Sequence, residues 1–219
     1  MGIQLDFGPV IDSASFIAQG LGMTLYVTIV AMALALTLGL VVGMLRLVKF
    51  VPIRMMATIY VDFFRGLPQL AFLIWLYFGI TLALGIHLSP LQAAIACLCI
   101  QEAACLAEIY RAGIEAIPKE QTQAALSLGL TPVQAFKDVV LPQALRIAMP
   151  AIGNDFIGML KGSSLVSILG VWELMRVSQG RANYFFRPFE FLTTAAIIYI
   201  VLALGLERAF AFVEKRFKF

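Results

Sequence analysis

The chain has 219 residues, of which 61% are hydrophobic and only 13% charged, with a mean hydropathy of +0.93. Soluble domains sit nearer half apolar and a quarter charged, and a chain this small cannot hide such an excess in a core. Its 16 basic and 13 acidic residues leave a formal charge of +3, too small and scattered an excess for a nucleic-acid partner. The fitting solvent is a lipid bilayer, and at roughly 20 apolar residues per spanning helix the chain has room for about five or six spans and no separate soluble domain.

From Met1 to Gln19 there are acids at Asp6 and Asp12 and no basic residue. A secretory signal opens with a positive segment, so the first apolar stretch is predicted to be a retained helix. Five such stretches follow in order, at about Leu21–Leu45, Ala57–Gly85, Leu91–Ile109, Ala148–Val171 and Phe191–Phe212. Gly39 and Gly43 in the first are small residues suited to close helix contact. Arg65, Gly66 and Pro68 interrupt the second; Pro68 is expected to kink it and Arg65 to pair with Asp62 three residues earlier. Cys97, Cys99 and Cys105 lie in the third, an odd number in a setting unlike a disulfide frame or zinc site, and read as small buried side chains. Trp75 and Trp172 read as packing or interface anchors.

Between the third and fourth stretches lies an amphipathic segment, Tyr110–Ile147, with Pro118, Pro132 and Pro142. Helix formers run to Leu128, Gly129 is a helix stop, and Thr131-Pro132 is a restart. Two short helices joined at a glycine make a knob whose apolar residues Ala124, Ala125 and Phe136 a partner can dock. Lysines and arginines favour the cytoplasmic side. They cluster after the first stretch (Arg46, Lys49, Arg54), in this segment (Arg111, Lys119, Lys137, Arg146) and at the end (Arg208, Lys215, Arg216, Lys218). With five spans these regions share one side, so the N-terminus is expected outside and the C-terminus in the cytoplasm. The loop from Glu173 to Pro188, with Arg176, Arg181 and Arg187, runs against that pattern.

Gln123, Ala124, Ala125, Gly129, Val139, Leu141 and Pro142 stand at the spacing of the loop motif of bacterial ATP-binding-cassette importer membrane subunits, and the chain resembles that family. It departs from the motif in Gln for Glu at 123 and Val for Ile at 139. Phe64-Arg-Gly-Leu-Pro68, Ala107-Glu-Ile-Tyr-Arg-Ala-Gly-Ile114, Leu141-Pro-Gln-Ala-Leu-Arg146 and Leu160-Lys-Gly-Ser-Ser-Leu-Val-Ser167 resemble landmarks of its polar amino-acid branch, the histidine, glutamine and glutamate permeases. The resemblance implies an all-α membrane protein of about five transmembrane helices, a type I importer transmembrane domain spanning residues 1–219, with a coupling loop at about 115–147. It further implies the bacterial cytoplasmic membrane and an ATPase dimer docked on Gln123, Ala124, Ala125, Gly129, Phe136, Leu141 and Pro142. A second membrane subunit, identical or paralogous, and an extracytoplasmic binding protein complete the implied assembly. The chain has no Gly-x-x-x-x-Gly-Lys-Ser/Thr phosphate cradle, so no cofactor is expected on it and ATP-Mg belongs to the separate ATPase.

Ionisable residues inside a membrane cost at least about 2.5 kcal/mol each and mark cavities or partners. Glu102, Asp155 and Lys161 are such residues, and Asn154, Ser163 and Ser164 add neutral hydrogen-bonding groups. Asn154 and Lys161, seven residues apart, share a helix face. Lys161 suits an amino-acid carboxylate; the alternative is structural pairing of Lys161 with Asp155 or Glu102. Many relatives carry an acid where this chain has Gly162, and Glu102-Ala103-Ala104 also occurs in acidic amino-acid permeases. Together these point to an acidic or amide substrate side chain. A secondary transporter or channel without an ATPase is the rival, although no internal repeat of the second-stretch motif is visible. A hydrolase built on Ser163 or Ser164 lacks a base, because the only histidine, His87, sits in a short turn.

Overall fold

Hydrocarbon offers a backbone no hydrogen-bond partners, so long apolar runs must satisfy their amides internally as helix. In the computed structural model, which describes residues 5–217, almost every described residue outside short connections is helical. The α-helices are α1 (Gly8–Asp12), α2 (Ala14–Leu45), α3 (Val51–Gly66), α4 (Gln69–Ile74), α5 (Ile80–Leu84), α6 (Pro90–Glu115), α7 (Lys119–Ser127), α8 (Pro132–Gln134), α9 (Leu141–Gly162), α10 (Leu174–Phe185) and α11 (Pro188–Phe217). Among the described residues three helices are long and apolar enough to cross a bilayer alone, and counting each of two bent pairs as one span brings the number to five. Met1–Gln4 and Lys218, which entered the charge argument, lie outside the described residues.

Two stretches depart from the sequence reading. The second is not one helix from Ala57: α3 ends at Gly66, Leu67 and Pro68 are extended with ψ 133° and 125°, and α4 starts at Gln69. Pro68 has no N–H to donate and bars helical geometry at Leu67. Beyond the break a π-helical stretch, Trp75–Gly79, joins α4 to α5, and Gly85 at φ +67° ends it. The segment from Glu173 to Pro188 is not a loop but the twelve-residue α10, because Glu173 caps it, accepting from the Met175 and Arg176 amides at 2.9 and 2.7 Å.

The chain divides into two compact units, and α2, α6, α9 and α11 contribute to both. One gathers the chain up to Met32, Pro68–Cys99 and Ile157–Leu206. Its core packs Val10, Ile17, Leu174, Ala182, Phe191 and Ala195. Gly20 allows α2 to approach α10, since a Cβ there would lie 3.1 Å from the Leu174 Cα. The other unit gathers Ala33–Leu67, Ile100–Phe156 and the chain from Glu207 on. There Gly39 and Gly43 do what the sequence predicted. A Cβ at Gly39 would sit 2.7 Å from the Leu106 Cβ, and one at Gly43 would sit 3.0 Å from the Ala107 carbonyl. Gly113 against Ala144, and Gly153 against Phe210, bring α6 to α9 and α9 to α11 in the same way. Helices in lipid gain little from hydrophobic association, so contacts this close are what binds them. Arg46 and Arg111 both pair with Glu108, tying α2 to α6.

Candidate coupling loop and substrate groups

The predicted stop and restart are present. Helix α7 ends at Ser127, Gly129 takes φ +84°, and the Leu130 amide donates back to the Ala125 carbonyl at 3.2 Å. Thr131 and Gln134 then form a capping box, with the Gln134 amide 3.4 Å from Thr131 Oγ1 and the Thr131 amide 2.9 Å from Gln134 Oε1. Pro132 opens α8, and a π-helical stretch, Ala135–Val140, leads into α9. Ile117, Val140 and Ala144 form a small core with Ile114 and Phe136 against it. Ala125 is buried and Phe136 half-buried, so they serve the loop's own packing, while Gln123, Ala124, Gly129 and Pro142 are exposed and Leu141 half-buried. The apolar side chains left bare are ones the sequence reading passed over: Leu128, 84% exposed, and Val133, 75% exposed. Leu128 is the C-cap residue of α7, just before the turn at Gly129.

In the same unit, Glu102 on α6 and Asp155 on α9 bring their carboxyls together, within reach of a shared hydrogen bond. Glu102 Oε1 and Asp155 Oδ2 are buried without a partner. Two carboxyls in contact with no donor between them require a proton or an incoming cation. The nearby cation is Arg65, which interacts with Cys105 and whose charge bears on Asp155. The expected Arg65–Asp62 ion pair is absent among the described residues; Arg65 instead reaches Cys105 on α6. Asn154, next to Asp155, is exposed.

Lys161 closes α9, is exposed, and makes no ion pair among the described residues. The alternative pairing with Asp155 or Glu102 is therefore not made. Ser163 and Ser164 lie on the 3₁₀ stretch Ser163–Leu169 that follows. Ser163 is buried and donates to the Leu160 carbonyl at 2.6 Å; Ser164 is half-buried and donates to the Lys161 carbonyl at 2.8 Å. A Cβ at Gly162 would meet Gln69 Oε1 at 2.8 Å, so an acid there would have to displace Gln69. Cys97 and Cys99 are buried and Cys105 partly so, all as free thiols. Trp75 and Trp172 are 60% and 65% exposed; Trp75 stacks on Phe72 and Arg176 lies over Trp172.

Residues 35–219 match the family described as the binding-protein-dependent transport system inner membrane component. The arginine transport system permease protein ArtQ of Bacillus subtilis is 37% identical over 99% of this chain and 99% of its own length. The probable glutamine ABC transporter permease protein GlnM of the same organism is 34% identical over 94% of each chain. A crystal structure of an amino acid ABC transporter with histidines superposes with a TM-score of 0.92 at 34% identity, covering 98% of this chain and 100% of that one. The inward-facing MetNI methionine ABC transporter, at 21% identity, shares the fold with a TM-score of 0.82 over 95% of this chain and 99% of that one. With its helical architecture, its loop motif and these relatives, the chain belongs to the binding-protein-dependent transport system inner membrane components, as a multi-pass permease subunit and not an enzyme.

Proposed function

We propose that the chain is half of the channel of an ATP-driven importer that moves a polar L-amino acid, with an acidic or amide side chain, into the cytoplasm by alternating access. The observation that carries the reading is the pair of facing carboxyls at Glu102 and Asp155, with two buried oxygens lacking partners. An amino acid's ammonium supplies the missing donors. In the unit that holds these carboxyls Asn154 adds a neutral partner; in the other unit Lys161, with no ion pair among the described residues, suits a carboxylate, with Ser164 beside it and Ser163 holding the backbone. The relatives' names cover arginine and glutamine, so the side-chain class rests on Gly162 and Glu102. Where an acid would face a basic side chain, Gly162 offers none, and Gln69 occupies the space.

An ATPase dimer holding ATP-Mg docks on the coupling loop through Gln123, Ala124, Gly129, Leu141 and Pro142, with Ala125 and Phe136 stiffening it from within. ATP binding closes the ATPases and draws the loop inward, turning the cavity outward; hydrolysis resets it. A second membrane subunit, identical or paralogous, completes the channel, and a binding protein delivers substrate outside, on the side of the N-terminus. Calorimetric titration of the purified importer with L-glutamate, L-glutamine and L-arginine tests the substrate assignment. Saturable binding of the first two is expected, and binding of arginine alone would overturn it.

A further inference from the structure

The break that ends α3 leaves a backbone acceptor unserved. In an unbroken helix the Phe64 carbonyl would accept from the amide of residue 68, but Pro68 has none. A carbonyl stranded at membrane depth is costly. Gln101 on α6 supplies the donor: its Nε2 donates to the Leu67 carbonyl at 3.0 Å and reaches the Phe64 carbonyl at 3.4 Å. Gln101 Oε1 is buried without a partner, so two acceptors alone orient the amide, and a flipped side chain would set oxygen against oxygen. One residue earlier, the Tyr60 hydroxyl donates to the Ile100 carbonyl at 2.7 Å. The last two turns of α3 are thus tied to one point on α6. Arg65 lies between the tied residues, and its side chain goes to Cys105, one turn along α6 from Gln101, and to the field of Asp155.

We propose that Gln101 is a positioning residue for transport, pinning the broken end of α3 so that Arg65 faces the Glu102–Asp155 carboxyls and sets how strongly they hold a substrate ammonium. This rests on the reading that those carboxyls meet substrate. A guanidinium held on α3 with its charge acting on Asp155 competes with the arriving ammonium in a defined way; a loose one competes from many positions.

The test is a double-mutant cycle on the whole importer, purified with its ATPase, using calorimetric affinity for L-glutamine (L-glutamate or L-arginine if either binds instead). Gln101→Met keeps the length and deletes the amide. It is expected to change the affinity ~3- to 10-fold, the size of one hydrogen bond, with basal ATPase activity within about twofold of wild type. In an Arg65→Met background the same substitution is expected to change affinity by less than about twofold, since Gln101 would have nothing left to position. Full effects in both backgrounds, or unchanged affinity per folded molecule, overturn the proposal. If Gln101→Met does not reach the membrane, Gln101→Glu, of equal length and able as the acid to donate one bond, carries the cycle under the same criteria. Asp155→Asn separates the two layers: unchanged affinity there overturns the substrate reading itself, whereas a responsive Asp155 with independent Gln101 and Arg65 overturns only the positioning role.

Discussion

Glu173 is wholly buried, yet both of its carboxyl oxygens are hydrogen-bonded. It accepts from the Met175 and Arg176 amides and from the Tyr199 hydroxyl at 2.7 Å, and Thr24 Oγ1 lies 3.5 Å away while accepting the Leu174 amide at 3.1 Å. One side chain thereby joins α2, α10 and α11. Glu173→Ala would strand a hydroxyl and two amides at roughly 1–3 kcal/mol per buried group. A clear drop in thermal unfolding temperature of the detergent-purified protein is expected. Glu173→Gln, which keeps one acceptor oxygen, should lose less than half as much; equal losses would show that the charge itself, and not the acceptor geometry, holds the helices. Glycines carry the opposite lesson. Gly39 and Gly43 were legible from their spacing in an apolar run, but Gly113 and Gly153 make contacts as close and carry no local signal, because their partners come from distant sequence.

The coupling loop is the element whose local sequence dictated its local structure most fully. Gly129, Thr131, Pro132 and Gln134 interact with neighbours three to five residues away, and short-range chemistry of this kind survives in sequence. Its outward face was less legible: of Ala124, Ala125 and Phe136, to which the sequence pointed, folding leaves Ala124 exposed, half-buries Phe136 and buries Ala125, while Leu128 and Val133 are bare. Under the proposed docking of the ATPase on this loop, these two bare side chains stand where the partner would meet them. Leu128→Asp and Val133→Asp should therefore lower co-purification of the ATPase and amino-acid uptake by about tenfold or more, without changing the thermal stability of the isolated chain. Wild-type co-purification with both aspartates present would remove the tip from the interface. At α3 and α4 the sequence placed the break correctly at Pro68 but read the pieces as one kinked span, because apolar composition alone does not show where a helix stops.

At the scale of the molecule, orientation rests on basic residues, and three arginines run against it. Each is engaged locally: Arg176 lies 6.0 Å from the Trp172 ring centroid, Arg181 3.3 Å from that of Phe16, and Arg187 pairs with Glu190 at 3.3 Å. Arginines spent on such contacts say less about side than free ones. Two single-cysteine variants test the assignment in a Cys97→Ala, Cys99→Ala, Cys105→Ala background. Phe186→Cys, at a site 89% exposed, should label with an impermeant maleimide from outside the cell, and Leu128→Cys only after the membrane is opened. The reverse pattern would invert the topology.

Composition and apolar run length were enough to determine that this chain lives in lipid as helices, since no other backbone satisfies itself there. Local sequence was enough to place the helix stop at Gly129 and the restart at Thr131-Pro132, since the bonds there span only a few residues. Tertiary structure alone decided which ionisable groups meet. It set Glu102 against Asp155, gave Arg65 no ion pair with Asp62 and Lys161 none at all among the described residues, and put Gln101 across the break at Pro68. Those choices depend on which helix lies beside which, and that follows from contacts between residues far apart in the chain, such as Gln101 with Leu67 and Thr24 with Leu174.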